Sequence, residues 1–258
     1  MAVVDTALPP RQRNLILGVL LVLAIGAWAV LIRQAAMPAE MAMGAGGPTM
    51  GMAAPLYLAI WVLMMVAMML PTAAPMILMF AAIAAGKRQR GQPFAPTWMF
   101  VSAYLLVWSL VGIIAYVLAL GAERGAATVP WLMMHGAQAG GAVLILAGTY
   151  QFSPLKRVCL VKCRSPLQFV LSSWRDGRGG AFRMGLAHGV YCLGCCWLLF
   201  LILFPVGVMN IAVMGALTAL IFAEKSLPAG RRIGQVAAAA LIVYGVVLFL
   251  PAALPAVM

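Results

Sequence analysis

The stretch RMGLAHGVYCLGCCWLLFLILF, residues 183–204, joins an apolar run of membrane-spanning length to one histidine and three cysteines. A helix turns about 100° per residue, so His188, Cys192 and Cys195 fall within roughly 60° of one face, with Cys196 at its edge. Cys192 lies about 13 Å along the helix axis from the start of the run, near the bilayer centre. Imidazole and sulfur are ligands that a soft metal ion prefers, and an unmatched polar group is costly in hydrocarbon. The stretch therefore predicts a metal site inside a membrane helix.

Two questions about this cluster stay open in the sequence. The spacing does not decide whether Cys195 or Cys196 is a ligand. The alternative interpretation is that the cysteines are small apolar side chains and that His188 pairs with a neighbouring helix. The close spacing of three cysteines in line with His188 favours the metal site.

The composition of the 258-residue chain is that of a polytopic membrane protein. The chain is 65% hydrophobic and 9% charged, whereas soluble domains carry about 25% charged residues. Its net charge of +12 is interpreted as a topological signal rather than as a sign of nucleic-acid binding, because Lys and Arg gather in cytoplasmic loops. No cleavable signal segment is evident, so the first apolar run is expected to be an uncleaved span.

Seven apolar runs are each near or above the ~17–25 residues that span a bilayer. They predict an all-α polytopic membrane bundle of about seven transmembrane helices, at residues 14–32, 56–85, 97–120, 131–152, 183–204, 207–223 and 233–254. All but two of the 17 basic residues, Arg33 and Arg124, fall on one side of this arrangement. The asymmetry predicts a cytoplasmic N-terminus and a periplasmic C-terminus. We expect one membrane domain, with a methionine-rich outer loop at 33–55 and a basic cytoplasmic loop at 153–182.

The outer loop carries five methionines in close succession, Met37, Met41, Met43, Met50 and Met52. Thioethers favour Cu(I) and, unlike thiols, are not lost to disulfides in an oxidising compartment. We predict weak and exchangeable capture of copper here, with Met41 and Met43 among the ligands. The alternative is a methionine-rich linker that binds no metal.

The second predicted helix holds Met64, Met65, Met68 and Met69, and a methionine-rich face within roughly a 100° arc is formed by Met65, Met68, Met69, Met76 and Met79. The same helix contains two prolines, Pro71 and Pro75, and their missing amide hydrogens are expected to kink the helix and free carbonyl groups. The predicted copper path leads inward along this face. Adaptable packing around a kinked helix is the alternative role for these methionines.

The basic loop contains two cysteines one helical turn apart, Cys159 and Cys163. Thiols at this spacing chelate one ion, and flanking cations are expected to lower their pKa. Two protein ligands are too few for a closed zinc site, so we predict transient handling of the ion at the cytoplasmic face. The alternative is a basic membrane-surface segment with two incidental cysteines.

Six stretches of the chain carry a family resemblance. They are WVLMMVAMMLP, YQFSPLK, CLVKCRSP, GLAHGVYCLGCCW, VMN and EK, at residues 61–71, 150–156, 159–166, 185–197, 208–210 and 224–225. With them the chain resembles the bacterial family of predicted metal-binding integral membrane proteins, an uncharacterised domain family sometimes labelled copper chaperone. The resemblance covers most of the chain from the second predicted helix onward, without the outer methionine loop. It implies a multi-pass protein of the bacterial inner membrane whose ligand is a metal, above all copper.

These observations predict a non-enzymatic membrane protein that binds Cu(I) for transfer across the membrane or for delivery to a cuproprotein or metallochaperone. One alternative is a membrane thiol–disulfide oxidoreductase, because Cys192 and Cys195 have the Cys-x-x-Cys spacing of redox proteins. Another is a non-catalytic assembly subunit. Hydrolytic catalysis is not expected, since none of the five acidic residues forms a plausible catalytic pair. Among them, Glu224 is expected to pair with Lys225 at the membrane interface.

Overall fold

The computed structural model describes residues 8–36, 47–49, 51–93, 95–129 and 134–249. Within these ranges the chain is helical and has no strand, which confirms the all-α prediction. The helices are α1 (Pro10–Ala35), α2 (Ala54–Gln89), α3 (Thr97–Thr128), α4 (Gly136–Tyr150), α5 (Pro154–Arg164), α6 (Pro166–Ser173), α7 (Gly177–Leu201), α8 (Leu203–Val206), α9 (Ile211–Ser226) and α10 (Gly230–Phe249).

Five helical segments in the described part of the chain are long and apolar enough to cross a membrane. They are α1, α2, α3, α7 continued by α8, and α10. The other two predicted spans, 131–152 and 207–223, correspond to α4 with 15 residues and α9 with 16 residues. Both fall just below the ~17–25 residues of an ordinary span, and residues 130–133 before α4 lie outside the described ranges. The number of spans therefore stays a prediction.

A proline in the middle of α2 helps to attach α1. Pro71 has no amide hydrogen, so the carbonyl of Ala67, four residues earlier, lacks its helical donor. The indole Nε1 of Trp28 on α1 donates to this carbonyl over 3.1 Å. The freed carbonyl expected from the sequence is thus used to pack two helices together, and α2 continues as one helix through both of its prolines.

Small residues bring α3 and α7 into backbone contact. A Cβ at Gly185 would lie 2.2 Å from the carbonyl oxygen of Phe100, and one at Gly189 would lie 2.8 Å from Val107 Cγ2. Larger residues at these positions would push the two helices apart, as is common at interfaces between membrane helices. This close approach fixes the face of α7 that carries His188 and Cys192 toward the interior, where both are buried.

The basic segment 153–182 folds into α5 and α6 and the first turns of α7 rather than into an extended loop. Ser153 caps α5 by accepting a hydrogen bond from the backbone N–H of Lys156 over 3.1 Å. One face of α5 buries Lys156, Cys159 and Cys163, while the opposite face leaves large apolar side chains such as Val158 exposed. The helix therefore points its thiols at the bundle, and it packs against α7.

Candidate metal centre

Three cysteines of α7 form the core of the site. The Sγ atoms of Cys192, Cys195 and Cys196 all lie within 4.8 Å of one another, and each side chain is at most 2% exposed. The thiols of Cys195 and Cys196 donate to the carbonyl oxygen of Cys192 over 3.0 and 2.8 Å. All three are free thiols, so they are available as ligands. The group of close sulfur atoms includes both Cys195 and Cys196. The residue spacing alone did not decide which of these two could be a ligand.

The two cysteines of α5 face the same thiols from the neighbouring helix. Cys163 interacts with Cys192 and Cys195, and a Cβ at Gly194 would lie 2.6 Å from the Sγ of Cys159. Gly194 is thus required for the close approach of α5 to α7. All five cysteines of the chain are buried in this region, although the sequence suggested two separate groups.

The expected lowering of the Cys159 and Cys163 pKa values by flanking cations is wrong. Hydrogen bonding with Cys192 and Cys195, together with burial, raises the pKa of Cys163, and burial raises the pKa of Cys159. Two of the nearby cations bind other groups than the thiols. Lys156 contacts Glu224, and Arg164 donates to the carbonyls of Glu224 and Leu227. A metal ion that binds these thiols must therefore displace their protons.

A buried lysine from α9 reaches the core of the site. The Nζ of Lys225 lies 3.0 Å from Cys192 Sγ and 3.3 Å from Thr72 Oγ1. The hydroxyl of Tyr104 lies 3.1 Å from the same sulfur. Cys192 therefore sits between two polar groups from other helices, which suits a sulfur that carries negative charge when it binds a metal.

The expected pair between Glu224 and Lys225 is wrong, because the two side chains point in different directions. Glu224 forms a buried ion pair with Lys156 of α5, with 2.7 Å between Oε2 and Nζ. Adjacent residues of a helix are about 100° apart around its axis, so their side chains do not face each other. Lys156 also contacts the side chain of Gln151. The ion pair joins α5 to α9 and leaves Lys225 for the thiol.

His188 lies one helical turn before Cys192, outside the group of mutually close sulfur atoms. It is 3% exposed, and among the described residues neither of its ring nitrogens has a hydrogen-bond partner. Its ring packs on those of Phe100, Tyr104 and Phe169, with centroids 5.8, 5.4 and 5.7 Å away. A buried imidazole with both nitrogens unsatisfied is costly unless a ligand satisfies one of them.

A cavity of about 210 Å³ connects the histidine to the other elements of the site. Five helices, α2, α5, α6, α7 and α9, form its wall, with residues Thr72, Pro75, Met76, Cys163, Arg164, Pro166, His188, Lys225 and Ser226. The lining residues of α5 and α9 lie at the C-terminal ends of these helices, beside basic segments of the chain, and those of α2 lie just past the middle of that helix. The cavity thus places one thiol, one thioether and one imidazole beside each other.

None of the predicted methionine ligands in the described part of the chain lines this cavity. Met64, Met65, Met68 and Met69 of α2 are buried in the bundle interior, and from the same helix it is Met76 that lines the cavity. Met41 and Met43 lie outside the described residues.

The end of the predicted outer loop contacts α3. Thr49 donates to Glu123 through its backbone N–H and its hydroxyl over 2.7 Å, and the Tyr116 hydroxyl donates to the Met52 carbonyl over 3.4 Å. These bonds attach residues 49 and 52 to α3.

Sequence reasoning missed Lys225, Thr72 and Tyr104 as parts of the site. A lysine in the last turn of an apolar helix is commonly an interfacial residue, and its contact with Cys192 depends on how α9 and α7 cross. The available signal was the helical angle between Glu224 and Lys225, which does not allow both side chains to face the same partner. Chemically, the arrangement offers soft donors to a cation and an ammonium group to a thiolate.

Comparison with known proteins identifies the family. A sequence model described as PpoB2: Copper chaperone matches residues 58–248, most of the chain and all of the elements that build the site. No curated protein and no solved structure matches the chain. The chain therefore belongs to the PpoB2 copper chaperone family, as the resemblance of its motifs predicted.

Proposed function

We propose that this member of the copper chaperone family binds Cu(I) at Cys192, Cys195 and Cys196 and passes it across the membrane or delivers it to a cuproprotein. The observation that carries the proposal is the convergence of three buried, free thiols within 4.8 Å in a chain of that family. Thiolates are soft ligands that select Cu(I), and binding it requires no enzymatic chemistry. The three core thiols alone are one donor short of the four that structural Zn²⁺ sites use.

The surrounding donors support a route by ligand exchange. Cys163 and His188 line the cavity next to the core thiols. Cys159 lies against α7, the helix that carries the core thiols, at Gly194. Copper would pass between these groups and the core by exchange of one ligand at a time, which needs no nucleotide. On the other side of the membrane, the methionines of loop 33–55 would capture or release the ion.

We further propose an inner-membrane location with seven spans, a cytoplasmic N-terminus and a periplasmic C-terminus. Five helices meet the length and hydropathy of a span, and α4 and α9 would be short spans held by their neighbours. Close packing supports this for α4, where a Cβ at Gly141 would lie 2.7 Å from the carbonyl oxygen of Gly245 on α10. The distribution of basic residues supports the orientation.

Reporter fusions test the orientation of α10 in this topology. A reporter enzyme that is active only outside the cytoplasm is expected to be active when fused after Phe249 and inactive when fused after Leu227, between α9 and α10. The reason is that one complete span separates these two points in a seven-helix arrangement. Equal activity of the two fusions, or the reverse pattern, would contradict the proposed topology.

A redox function is a second candidate because Cys192 and Cys195 have the Cys-x-x-Cys spacing and their sulfur atoms lie within 4.8 Å. In that case the pair would exchange between dithiol and disulfide forms. The Lys225 ammonium beside Cys192 suits either a metal-bound thiolate or a nucleophilic one. The two candidates therefore need an experiment that distinguishes a bound metal from a disulfide.

Thiol trapping provides this distinction. In protein purified after growth with copper, we expect alkylation of the α7 cysteines to be blocked, and the block to be lifted by a Cu(I) chelator in the absence of reductant. A metal protects thiolates without oxidising them, whereas a disulfide is opened by reductant alone. Protection that resists the chelator and yields to reductant would replace the copper proposal by the redox one.

A further inference from the structure

We propose that the cavity beside His188 is a docking site for an anionic complex of Cu(I) with a small carboxylate-bearing thiol, from which copper is handed to Cys163 and Cys192. The proposal rests on the proposed function, because it names the form in which copper reaches the same thiols. It concerns the cavity that adjoins the core thiols and is lined by Cys163, His188 and Lys225.

The charge of the cavity wall favours an anion. Two cationic side chains, Arg164 and Lys225, line it, and no acidic residue of the described chain does so. Glu224, the neighbour of Lys225 in the chain, has its carboxylate engaged with Lys156 in a buried ion pair. A concave, partly desolvated site with walls of one sign concentrates ions of the opposite sign.

Neither cation has a carboxylate partner in this part of the molecule. Arg164 donates to the carbonyl oxygens of Glu224 and Leu227 over 3.1 and 2.8 Å, which fixes its guanidinium at the C-terminal end of α9. Lys225 contacts a sulfur and a hydroxyl. Both positive charges are therefore held in place without a carboxylate that neutralises them. An incoming anion would neutralise them.

A second, independent observation points to a ligand in the same cavity. His188 is buried, lines the cavity wall and has neither ring nitrogen hydrogen-bonded among the described residues. Cys163 and Met76 add a thiol and a thioether to the same wall. An anion alone would not explain these soft donors, but an anionic complex that contains Cu(I) matches both the cations and the donors.

The volume limits the size of the carrier. About 210 Å³ corresponds to roughly seven water molecules at ~30 Å³ each, which is below the 300–1,000 Å³ of ordinary small-molecule pockets. The space suits a copper ion with one small thiolate ligand. A second thiolate of the complex would remain at the open mouth, near the exposed residue Ser226.

The transfer step is a balanced ligand exchange. Each exchange breaks one bond between copper and a carrier sulfur and forms one bond between copper and a cysteine sulfur. The proton that leaves the cysteine thiol goes to the released carrier thiolate. Copper stays in the +1 state throughout, so the step needs no oxidant or reductant.

Three thiols of similar size and different charge test the proposal on the full-length protein in detergent. Mercaptopropionate, mercaptoethanol and mercaptoethylamine form bis-thiolate complexes of Cu(I) that carry negative, smaller negative and positive charge, respectively. The rate of copper transfer from each complex is measured for the variants Ser226→Asp and Ser226→Asn, which differ mainly by one charge at the cavity mouth. The ratio of the two rates cancels the intrinsic copper affinity of each thiol.

We expect the aspartate variant to accept copper from the mercaptopropionate complex about tenfold more slowly than the asparagine variant, with a smaller effect for mercaptoethanol and none or the reverse for mercaptoethylamine. Ser226→Lys is expected to show the opposite order. Equal ratios for the three donors would overturn the anionic docking site. The copper content of each protein at saturation is measured in parallel. If neither the wild type nor any variant bound copper, the proposed function would be refuted instead.

Discussion

The double variant Cys192→Ser/Cys195→Ser is expected to purify without copper from detergent, whereas the wild-type protein retains it. Serine keeps the size of the side chain but replaces a soft sulfur ligand by a hydroxyl, which Cu(I) binds poorly. Of the three sulfur atoms that lie within 4.8 Å of one another, only that of Cys196 would remain. The measurement is the ratio of copper to protein by element analysis.

A matched control separates the loss of ligands from a general effect of serine in this helix. Ala187→Ser introduces the same side chain on α7 at a partly exposed position outside the group of mutually close thiols. We expect it to retain copper at the wild-type ratio. An unchanged copper ratio in the double variant, with both proteins equally monodisperse, would refute the central site.

The core of the site was predictable because it lies on one helix. The spacing of Cys192 and Cys195 fixes their common face through the 100° rotation per residue, and no other element is needed to bring them together. The structure brings Cys196, which the spacing gave only as an alternative to Cys195, into the same group because its sulfur turns back to the carbonyl of Cys192. That local hydrogen bond sets the orientation of the side chain, which the residue spacing does not give.

The contribution of α5 was not predictable from the sequence, because it depends on tertiary packing. The spacing of Cys159 and Cys163 placed both on one face of a short helix, but the face could equally have turned toward solvent. Two contacts orient this face toward the bundle. The buried ion pair between Lys156 and Glu224 holds α5 against α9, and the missing side chain at Gly194 lets it approach α7. These contacts join positions that are distant in the sequence.

The helices of the fold could be predicted from the sequence, whereas the number of its spans stays a prediction. Apolar runs gave the position of each long helix, because every backbone polar group in lipid must be satisfied within the segment. For α4 and α9 the helical segments in the described part of the chain are shorter than the apolar runs that predicted them. The segment 153–182 was interpreted as a loop because it is basic, yet its buried positions 156, 159 and 163 follow helical spacing.

Removal of the Lys225 charge is the second change with a large expected effect. A Cu(I) ion held by two of these cysteines as thiolates carries a net charge of −1, and one held by all three carries −2; either charge is costly in a low-dielectric interior unless a cation neutralises it. The Lys225 ammonium, 3.0 Å from Cys192 Sγ, is placed to do so. We expect Lys225→Met, which keeps most of the side-chain length, to weaken Cu(I) binding by about 2–5 kcal/mol. The measurement is the Kd for Cu(I), obtained by competition with a chelator.

Two further variants identify the charge as the cause. Lys225→Arg keeps a cation at the end of α9 and is expected to retain most of the affinity. Lys156→Met removes the other buried ammonium, but its partner is Glu224 rather than a thiol, so it is expected to lower thermal stability and to leave the Kd of the folded protein near the wild-type value. If Lys225→Met bound Cu(I) as tightly as the wild type, the lysine would serve packing alone and the site would bind copper with its negative charge uncompensated.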